Sequence, residues 1–260
     1  MDAIVKRLSG RSAIVTGAGR GIGLAIAQRF AAEGATVNLC DLTDESVGEG
    51  VEAIRAAGGV AKGKAFDVKD TLAMRAFVDE VGGSPSGLDI LVNNAAIMPV
   101  QPIDTMSAES IDQVLVVNLR APILFSNAAL PWMRQRGGGV VLHTASTQGH
   151  VGSPSMAVYA ASKAGLIVLA QAQAKSWAAH GIRVNTVSPG AVDSPMFEGE
   201  AAKHPGGPEA YRRAADALHP RGKIASMEEV AATFAFLASD DAANVTATDL
   251  RCDGGLAVAG

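Results

Sequence analysis

Tyr159 and Lys163 stand four residues apart in the segment YAASK, and their types and spacing suggest acid–base chemistry. The segment begins an alanine-rich stretch of helical period, and residues four apart on a helix share one face. Both side chains can therefore reach a common ligand. A tyrosine hydroxyl titrates at about pH 10 and is a poor base at neutral pH, but a nearby ammonium favours the phenolate and lowers its pKa. The alternative is a partly buried tyrosine beside a solvated lysine.

Ser146 precedes Tyr159 by thirteen residues and follows an apolar segment that predicts a strand. A hydroxyl at the end of a strand can donate a hydrogen bond to a carbonyl or alcohol oxygen of a substrate. Serine is also an ordinary turn residue there. Loop positions make Gln148, His150 and Met196 further candidates for substrate contact, although a solvated loop histidine explains His150 at least as well.

A glycine-rich segment, TGAGRGIG at residues 16–23, lies between a predicted strand and a predicted helix. Glycine lets the backbone turn sharply and approach a pyrophosphate, while the helix N-terminus offers free N–H groups and the positive end of its dipole. Loose glycine patterns occur by chance, but the strand before, the helix after and an acid beyond the second strand favour a dinucleotide site. The predicted contacts in this segment are Gly17, Gly19, Arg20, Gly21 and Ile22.

Asp41 ends the second predicted strand, eighteen residues after Gly23, which is about the spacing of a ribose-binding acid. A carboxylate there can accept hydrogen bonds from the adenosine ribose hydroxyls and would repel a phosphate on that ribose. The sequence therefore predicts NAD as the cofactor. Arg20 leaves NADP open, because a guanidinium in the glycine turn can pair with that phosphate. Asp67, at the end of the third strand, either accepts from the adenine amino group or caps the next helix.

Short β-branched segments alternate with alanine-rich segments of helical period along the chain. The predicted strands are residues 12–15, 36–40, 61–65, 88–93, 140–144, 183–188 and 249–253. The predicted helices are residues 22–33, 43–57, 71–81, 107–136, 157–180 and 226–238. This alternation predicts an α/β fold, doubly wound around a parallel sheet. Pro122 and Pro131 predict that the helix over 107–136 is kinked or divided near Asn118 to Ala121.

Residues 193–223 are rich in proline, glycine and charge, with a weak helix predicted around Glu209–Leu218. The segment follows the carboxyl end of a strand, where ligands bind in such sheets, so we expect a flap over the substrate; a mobile surface loop is the alternative. Its cations either attract an anionic substrate or only solvate the surface, and they include Lys203, Arg212, Arg213 and Arg221.

The motifs TGAGRGIG, NNAA at residues 93–96, Asn118, Ser146, YAASK and SPG at 188–190 occur in the order and spacing of the short-chain dehydrogenase/reductase family. The sequence resembles the classical branch of that family from about residue 10 to residue 255. The resemblance implies a Rossmann-type three-layer sandwich with a seven-stranded parallel sheet, a single domain over residues 1–260, and a homotetramer. It also implies a catalytic tetrad of Asn118, Ser146, Tyr159 and Lys163.

The mechanism that the resemblance implies assigns a role to each member of the tetrad. Tyr159 exchanges a proton with the substrate oxygen, which Ser146 polarises. Lys163 binds the nicotinamide ribose and lowers the pKa of Tyr159, while Asn118 supports a proton relay. Hydride passes directly between the substrate carbon and the nicotinamide. Further cofactor contacts, from the same resemblance and from loop positions, are Asp67, Val68, Asn94, Ala95, Tyr159, Lys163, Pro189, Gly190, Val192 and Ser194.

The sequence departs from the usual family pattern at three positions. Ala96 stands where the family commonly has glycine, and it is expected to narrow the pocket. Ser194 replaces a threonine but keeps the hydroxyl. Ala247 stands where a Thr-Gly pair is common, within Thr246-Ala247-Thr248. None of the three removes a chemical group that the mechanism needs.

The composition excludes several classes of protein. The 260 residues carry a net charge of -4 with no basic cluster, which argues against nucleic-acid binding and against a membrane partner. Cys40 and Cys252 are isolated and the five histidines show no metal-ligand spacing, so no metal site is predicted. The N-terminus lacks the apolar segment of a secretory signal, and the most apolar stretch, 166–170, is too short to cross a bilayer. We expect a cytoplasmic protein with a small-molecule partner.

Three functions are compatible with these motifs. The leading one is an NAD-dependent oxidoreductase that transfers a hydride between nicotinamide and a secondary alcohol or ketone. An NADPH-dependent carbonyl or 3-oxoacyl reductase is the alternative that Arg20 keeps open. A protein that senses the dinucleotide without catalysis is disfavoured by the complete tetrad, because a sensor has no need of Tyr159 or Ser146.

Overall fold

A computed structural model describes residues 6–258 of the chain. Seven strands form one parallel sheet in the order β3-β2-β1-β4-β5-β6-β7. The strands are β1 Ser12–Thr16, β2 Thr36–Asp41, β3 Val60–Ala65, β4 Ile90–Asn93, β5 Gly139–Thr144, β6 Ile182–Pro189 and β7 Asp249–Cys252. The order reverses between β1 and β4, which places a crevice at the carboxyl ends of those two strands.

Nine α-helices connect or follow these strands within residues 6–258. They are α1 Gly21–Ala32, α2 Asp44–Ala56, α3 Thr71–Gly82, α4 Ala108–Leu115, α5 Ala121–Gln135, α6 Ala157–Trp177, α7 Pro195–Ala201, α8 Gly207–Leu218 and α9 Met227–Ala238. Side chains cap three of these helices: Thr43 accepts from Ser46 N, Ser107 accepts from Ser110 N, and Ser226 forms a capping box with Glu229.

Two apolar cores fill the spaces between the sheet and its two helical layers. Helices α1, α2 and α9 pack on one face around Phe30 and Phe234. Helices α3, α5 and α6 pack on the other face around Phe77, Phe125 and Trp177. The central strands β1 and β4 are buried along their whole length, as strands covered on both faces must be. The predicted three-layer, Rossmann-type sandwich with seven parallel strands is confirmed.

The predicted helix over 107–136 is divided, as its prolines indicate. Helix α4 ends at Leu115, a π-helical turn spans Val116–Arg120, and α5 begins at Ala121 with Pro122 in its first turn. Proline is tolerated there because the first N–H groups of a helix have no intrahelical partner. The turn places Asn118 in the buried interior, next to the loop that follows β4.

The predicted flap at 193–223 contains two helices, of which sequence analysis found only one. The expected helix at 209–218 is α8, and the short α7 was missed. Phe197 and Ile224 pack with Tyr211 in a third, small apolar cluster. The flap is therefore a folded substructure within the described chain.

The helical segment that matches the predicted helix over 107–136 is continuous through the π-helical turn. Ala108–Gln135 is long and apolar enough to cross a membrane by length and composition. Half of its most apolar portion is buried inside the fold, where α5 contributes Phe125 and Met133 to a core. The same test is passed by core helices of proteins that do not cross membranes.

Candidate active site

Ser146, Tyr159 and Lys163 converge at the carboxyl edge of the sheet. Ser146 follows β5 directly and accepts a hydrogen bond from Gln148 N at 3.2 Å, which fixes the start of a 3-10 turn over Thr147–Gly149. Tyr159 and Lys163 occupy the first two turns of α6, one turn apart, and all three side chains are buried. The Lys163 Nζ lies 5.5 Å from the centre of the Tyr159 ring. The predicted face-sharing pair is therefore formed.

Burial controls the protonation of both groups on α6. It raises the pKa of Tyr159, and the adjacent Ser146 hydroxyl acts in the opposite direction. Burial lowers the pKa of Lys163 to about 7, while its Nζ donates to the Thr144 carbonyl at 2.6 Å. The protein alone therefore keeps the phenol protonated. The sequence predicts a lowered pKa for Tyr159. A positive charge that the chain does not itself supply is needed to lower it.

Asn118 acts as a clamp between two segments of the site. Its Oδ1 accepts from Ile97 N and its Nδ2 donates to Ile97 O, both at 2.9 Å, and Nδ2 also donates to Ser162 Oγ at 3.2 Å. Ser162 Oγ in turn donates to Tyr159 O. The side chain thus joins the loop after β4 to the start of α6. Its polar atoms already have partners, so it positions these segments.

The glycine turn after β1 forms a cradle in which side chains do not fit. A Cβ on Gly23 would lie 2.0 Å from the Gly17 carbonyl oxygen, and one on Gly17 would lie 2.8 Å from Ala95 Cα. Gly17 and Gly21 both have φ of 62°, the left-handed region that glycine adopts without strain. The cradle leads into the N-terminus of α1. A pyrophosphate fits these features, since it is bound by backbone N–H groups at such a helix end.

Asp41 is anchored beside this cradle. Its Oδ2 accepts from Gly19 N at 2.8 Å, and its Oδ1 accepts from Leu42 N at 2.7 Å. A carboxylate has about four lone-pair sites, so acceptor capacity remains for ribose hydroxyls. Arg20 is exposed at the N-cap of α1, and its guanidinium has no hydrogen bond or ion pair within the described residues. Both predicted determinants of cofactor choice therefore lie at one site.

Asp67 does not cap a helix. Asp70 caps α3 by accepting from Leu72 N and Ala73 N, so the capping alternative for Asp67 is wrong. Asp67 instead accepts from Lys69 N in a local turn and forms an ion pair with Lys69 Nζ at 3.2 Å. Its carboxylate stays part-exposed at the carboxyl end of β3, beside the partly buried Val68.

The remaining predicted cofactor residues border the same crevice. Thr16 Oγ1 accepts from Asn94 N and Ala95 N, which fastens the end of β4 to the end of β1. Asn94 Nδ2 donates to the carbonyls of the glycine turn. On the far side, Pro189 ends β6 and is followed by Gly190, buried Val192, and Ser194, which caps α7. Ile22 lies in the first turn of α1.

The candidate substrate residues are placed differently from one another. Gln148 lies on the same turn as Ser146, and its Oε1 is buried with no hydrogen-bond partner in the described chain. Met196 is exposed on α7. His150 directs Nε2 to the Asp249 carboxylate of β7 at 2.8 Å, so its ring is engaged with the protein. Asp249 also accepts from Thr186 and Ser188.

Sequence analysis missed three groups that hold the site together. The Thr144 carbonyl binds Lys163, Thr16 joins β1 to β4, and Asp249 fixes His150. A backbone carbonyl has no signature in side-chain types, and the two side chains act across strands that are distant in sequence. The proximity of these groups depends on the order of the strands in the sheet.

Comparison with known proteins identifies the family. The profile of the family described as enoyl-(acyl carrier protein) reductase, a short-chain dehydrogenase group, matches residues 17–257. The chain belongs to the short-chain dehydrogenase/reductase family. It is 39% identical to 3beta-hydroxysteroid dehydrogenase 1 of Eggerthella lenta over 251 residues, which cover 96% of this chain and 94% of that protein. It is 37% identical to galactitol 2-dehydrogenase of Agrobacterium fabrum over 254 residues, covering 96% and 98%.

The solved structure of a similar protein agrees with the comparison of sequences. A gluconate 5-dehydrogenase from Burkholderia cenocepacia, in complex with NADP and tartrate, superposes with a TM-score of 0.91 at 30% identity, covering 98% of each chain. The predictions of the family, of an oxidoreductase and of a nicotinamide dinucleotide cofactor are confirmed. The relatives act on unlike substrates, so the family alone does not name the substrate of this chain.

Proposed function

We propose that this short-chain dehydrogenase/reductase interconverts secondary alcohols and ketones with NAD as its preferred cofactor. The observation that carries the proposal is the buried convergence of Ser146, Tyr159 and Lys163 beside a glycine cradle that excludes side chains. Relatives named galactitol 2-dehydrogenase and 3beta-hydroxysteroid dehydrogenase also support a secondary alcohol. A 3-oxoacyl reductase activity is the second candidate, favoured by the unpaired Arg20 and by a 35% identical relative of that name from Thermotoga maritima.

Each residue of the site has a separate role in the reaction. When bound, NAD would supply a hydride acceptor with a positively charged ring. Ser146 holds the substrate oxygen by a hydrogen bond and orients it toward the phenol. Tyr159 takes the proton from the alcohol, or returns it in the reduction direction. The Nζ of Lys163 is held by the Thr144 carbonyl. When Lys163 is protonated, its positive charge stabilises the phenolate of Tyr159.

The preference for NAD rests on Asp41. Its carboxylate lies against Gly19 N, where it can accept from ribose hydroxyls and repels a phosphate in the same place. Arg20 is free to pair with such a phosphate, so it opposes this preference. We weigh the anchored carboxylate more heavily, because the exposed arginine must be ordered on binding, which costs side-chain entropy.

Turnover of a panel of secondary alcohols and ketones with NAD(H) and NADP(H) tests the proposal. We expect Tyr159→Phe to lower kcat at least a thousandfold while the Kd for NADH, measured by fluorescence titration, changes less than threefold. The phenyl ring keeps the packing and lacks only the proton-transferring hydroxyl. Retained turnover in Tyr159→Phe would remove this residue as the acid–base group, and absence of turnover with either cofactor would overturn the proposed activity.

We propose that the protein is a homotetramer in the cytoplasm. The family resemblance supports the tetramer, as do the exposed Val168 on the long helix α6 and Leu250 on the edge strand β7, which offer apolar area for association. Light scattering coupled to size-exclusion chromatography measures the mass directly. A monomeric mass at micromolar concentration would contradict this assembly, and fractionation of the source cells tests the location.

A further inference from the structure

Exposed apolar side chains gather on the loops at the catalytic edge of the sheet. Val100 on the loop after β4, Val151 on the loop after β5 and Met196 on α7 are 43–48% exposed. These loops follow adjacent strands, and Gln101 N donates to Ser155 O, which joins the first two at 2.9 Å. A Cβ on Gly21 would lie 3.7 Å from Pro195 Cδ, so α7 begins close to the glycine cradle. We call Val100, Val151 and Met196 the apolar rim.

The two loops beside the rim carry almost no charge. Residues 94–107 contain one ionisable side chain, Asp104, and residues 145–156 contain only His150. His150 is engaged by Asp249. An anionic substrate entering between these loops therefore finds no cation on either of them.

The cations of the flap are neutralised within the protein. Arg212 pairs with Asp193 and its guanidinium stacks 5.3 Å from the Phe197 ring centre. The other three that the sequence singled out also have carboxylate partners, in the pairs Lys203–Glu200, Arg213–Glu209 and Arg221–Glu229. Lys223 lies close enough to Glu229 to contribute to lowering the pKa of that carboxyl. The flap therefore offers little free positive charge to a ligand.

We infer that the substrate of this site is a neutral secondary alcohol or ketone with an apolar skeleton. This inference rests on the proposed function and names its substrate class. The Ser146 and Tyr159 hydroxyls bind the single reacting oxygen, and the rim covers the hydrocarbon. A carboxylate placed against the rim would lose its water without gaining a cationic partner, which is unfavourable. Gln148 Oε1 can accept from one substrate hydroxyl, whereas the three apolar side chains of the rim can bind none.

Three alcohols of similar size distinguish these substrate classes. They are 4-methylcyclohexanol, 4-hydroxycyclohexane carboxylate and a straight-chain hexitol. We expect kcat/KM for methylcyclohexanol to exceed both others at least tenfold, because a hydrophobic contact of one methylene changes kcat/KM by roughly tenfold or more. A higher kcat/KM for the carboxylate would show that a flap cation is released on binding. A higher kcat/KM for the hexitol would show that the loops bind hydroxyl groups. Either result overturns the inference.

Two rim variants, Met196→Ser and Val151→Ser, test whether these side chains bind the hydrocarbon. The measured quantity is the ratio of kcat/KM for methylcyclohexanol to kcat/KM for isopropanol. We expect each variant to lower this ratio at least fivefold, since the smaller alcohol has little skeleton to lose. Val60→Ser is the matched control, because Val60 is equally apolar and exposed but lies on the edge strand β3. An unchanged ratio in both rim variants would refute the proposal that the rim binds the hydrocarbon of the substrate.

Failure of the inference is distinguishable from failure of the proposed function. Oxidation of the hexitol or of the carboxylate, with loss in Tyr159→Phe, would leave the dehydrogenase activity standing and remove only the apolar substrate class. No oxidation of any of the three, and no reduction of the matching ketones with either cofactor, would remove both.

Discussion

Asp41 shows how one side chain can be committed to the fold and still select a ligand. It accepts from Gly19 N and Leu42 N, so the carboxylate is fixed before any cofactor arrives. A fixed carboxylate can discriminate between NAD and NADP without the entropic cost of ordering a side chain on binding.

We expect Asp41→Ala to raise the ratio of kcat/KM for NADPH to kcat/KM for NADH at least tenfold, because repulsion of the ribose phosphate is lost while Arg20 remains. Glu49→Ala is the control: it removes the same charge from an exposed position of α2. Steady-state kinetics with both cofactors give the ratio. An equal change in the two variants would mean that overall charge, and not Asp41, sets the preference.

His143 is a buried titratable residue that does not contact the reacting groups. Its Nε2 lies 2.9 Å from Gln173 Oε1 and its Nδ1 lies 3.2 Å from Asn93 Nδ2, so the neutral ring with a proton on Nε2 donates to Gln173 and accepts from Asn93. Burial lowers the pKa of His143 to about 4, with the Lys163 charge acting in the same direction. The fold therefore requires the neutral form.

This requirement predicts a loss of stability in acid. As pH falls from about 6.5 to about 4, the unfolded chain takes up the His143 proton before the folded chain does, so the free energy of unfolding decreases by about 3 kcal/mol. Urea unfolding across this range should show a shallower decrease in His143→Gln than in the unchanged protein. His204→Gln, at an exposed flap position, should behave like the unchanged protein. Equal slopes in all three proteins would contradict the assignment.

At the scale of elements, the turn before β7 contains a strained backbone conformation at Ala247. Ala247 has φ of 60° and is the single non-glycine residue with positive φ in the described chain. It lies in the segment Thr246-Ala247-Thr248, where the family resemblance implies a Thr-Gly pair. The left-handed conformation costs a residue with a Cβ about 1–2 kcal/mol.

Ala247→Gly should therefore stabilise the protein. Part of the relieved strain is offset by the greater freedom of glycine in the unfolded chain, which leaves a gain of about 0.5–1 kcal/mol and a Tm higher by roughly 2 °C. Calorimetry measures the shift. Ala243→Gly is the control, because Ala243 has φ of -55° and should lose stability on the same change. A lower Tm for Ala247→Gly would show that the methyl group packs more favourably than the strain costs.

The elements also show what sequence can and cannot predict here. Glycines and prolines report on local backbone, so the glycine turn after β1 and the break near Asn118 were predicted correctly. Helix α7 was missed because its seven residues include a proline and a glycine and are too few to show a period. The clamp of Asn118 on Ile97 was missed because it depends on how the loop after β4 folds back on the divided helix. The pairs Arg212–Asp193 and Arg221–Glu229 likewise depend on packing between separate segments. The pairs Lys203–Glu200 and Arg213–Glu209 are local, three and four residues apart.

At the scale of the whole molecule, one cavity lies away from the active site. It measures about 640 Å³ and lies at the opposite edge of the sheet, between the amino ends of the strands and the C-terminal ends of α3, α5 and α9. Helix C-termini are negative, and Arg136 and Arg183 line this cavity. Arg183 donates to Ser239 O at the end of α9 and to Val245 O in the loop before β7. Arg183 therefore balances the C-terminal end of α9, and Arg136 pairs with Asp89 at 2.9 Å, so we assign the cavity a structural role.

Loss of the Arg183 guanidinium should lower stability without changing catalysis. Arg183→Ala leaves two carbonyls without a charged donor, which costs about 3 kcal/mol and lowers Tm by roughly 6–10 °C, while the KM for NAD stays within twofold. Arg11→Ala is the comparison, because Arg11 pairs with Asp240 on the surface, where ion pairs contribute about 0–1 kcal/mol. A cavity that binds a ligand needed for activity would instead show reduced kcat in Arg183→Ala at temperatures where the protein is folded.

The contact between His150 and Asp249 has a consequence for synthesis. The proposed tetrad is complete in sequence once translation has passed Lys163, yet His150, at the end of the turn that begins at Ser146, binds a carboxylate on β7, the last strand along the chain. A nascent chain that has not reached residue 249 therefore contains every reacting side chain and lacks the partner that holds the serine turn in place. The enzyme gains its final active-site contact only as the ribosome completes the sheet, which delays full activity until the fold is finished.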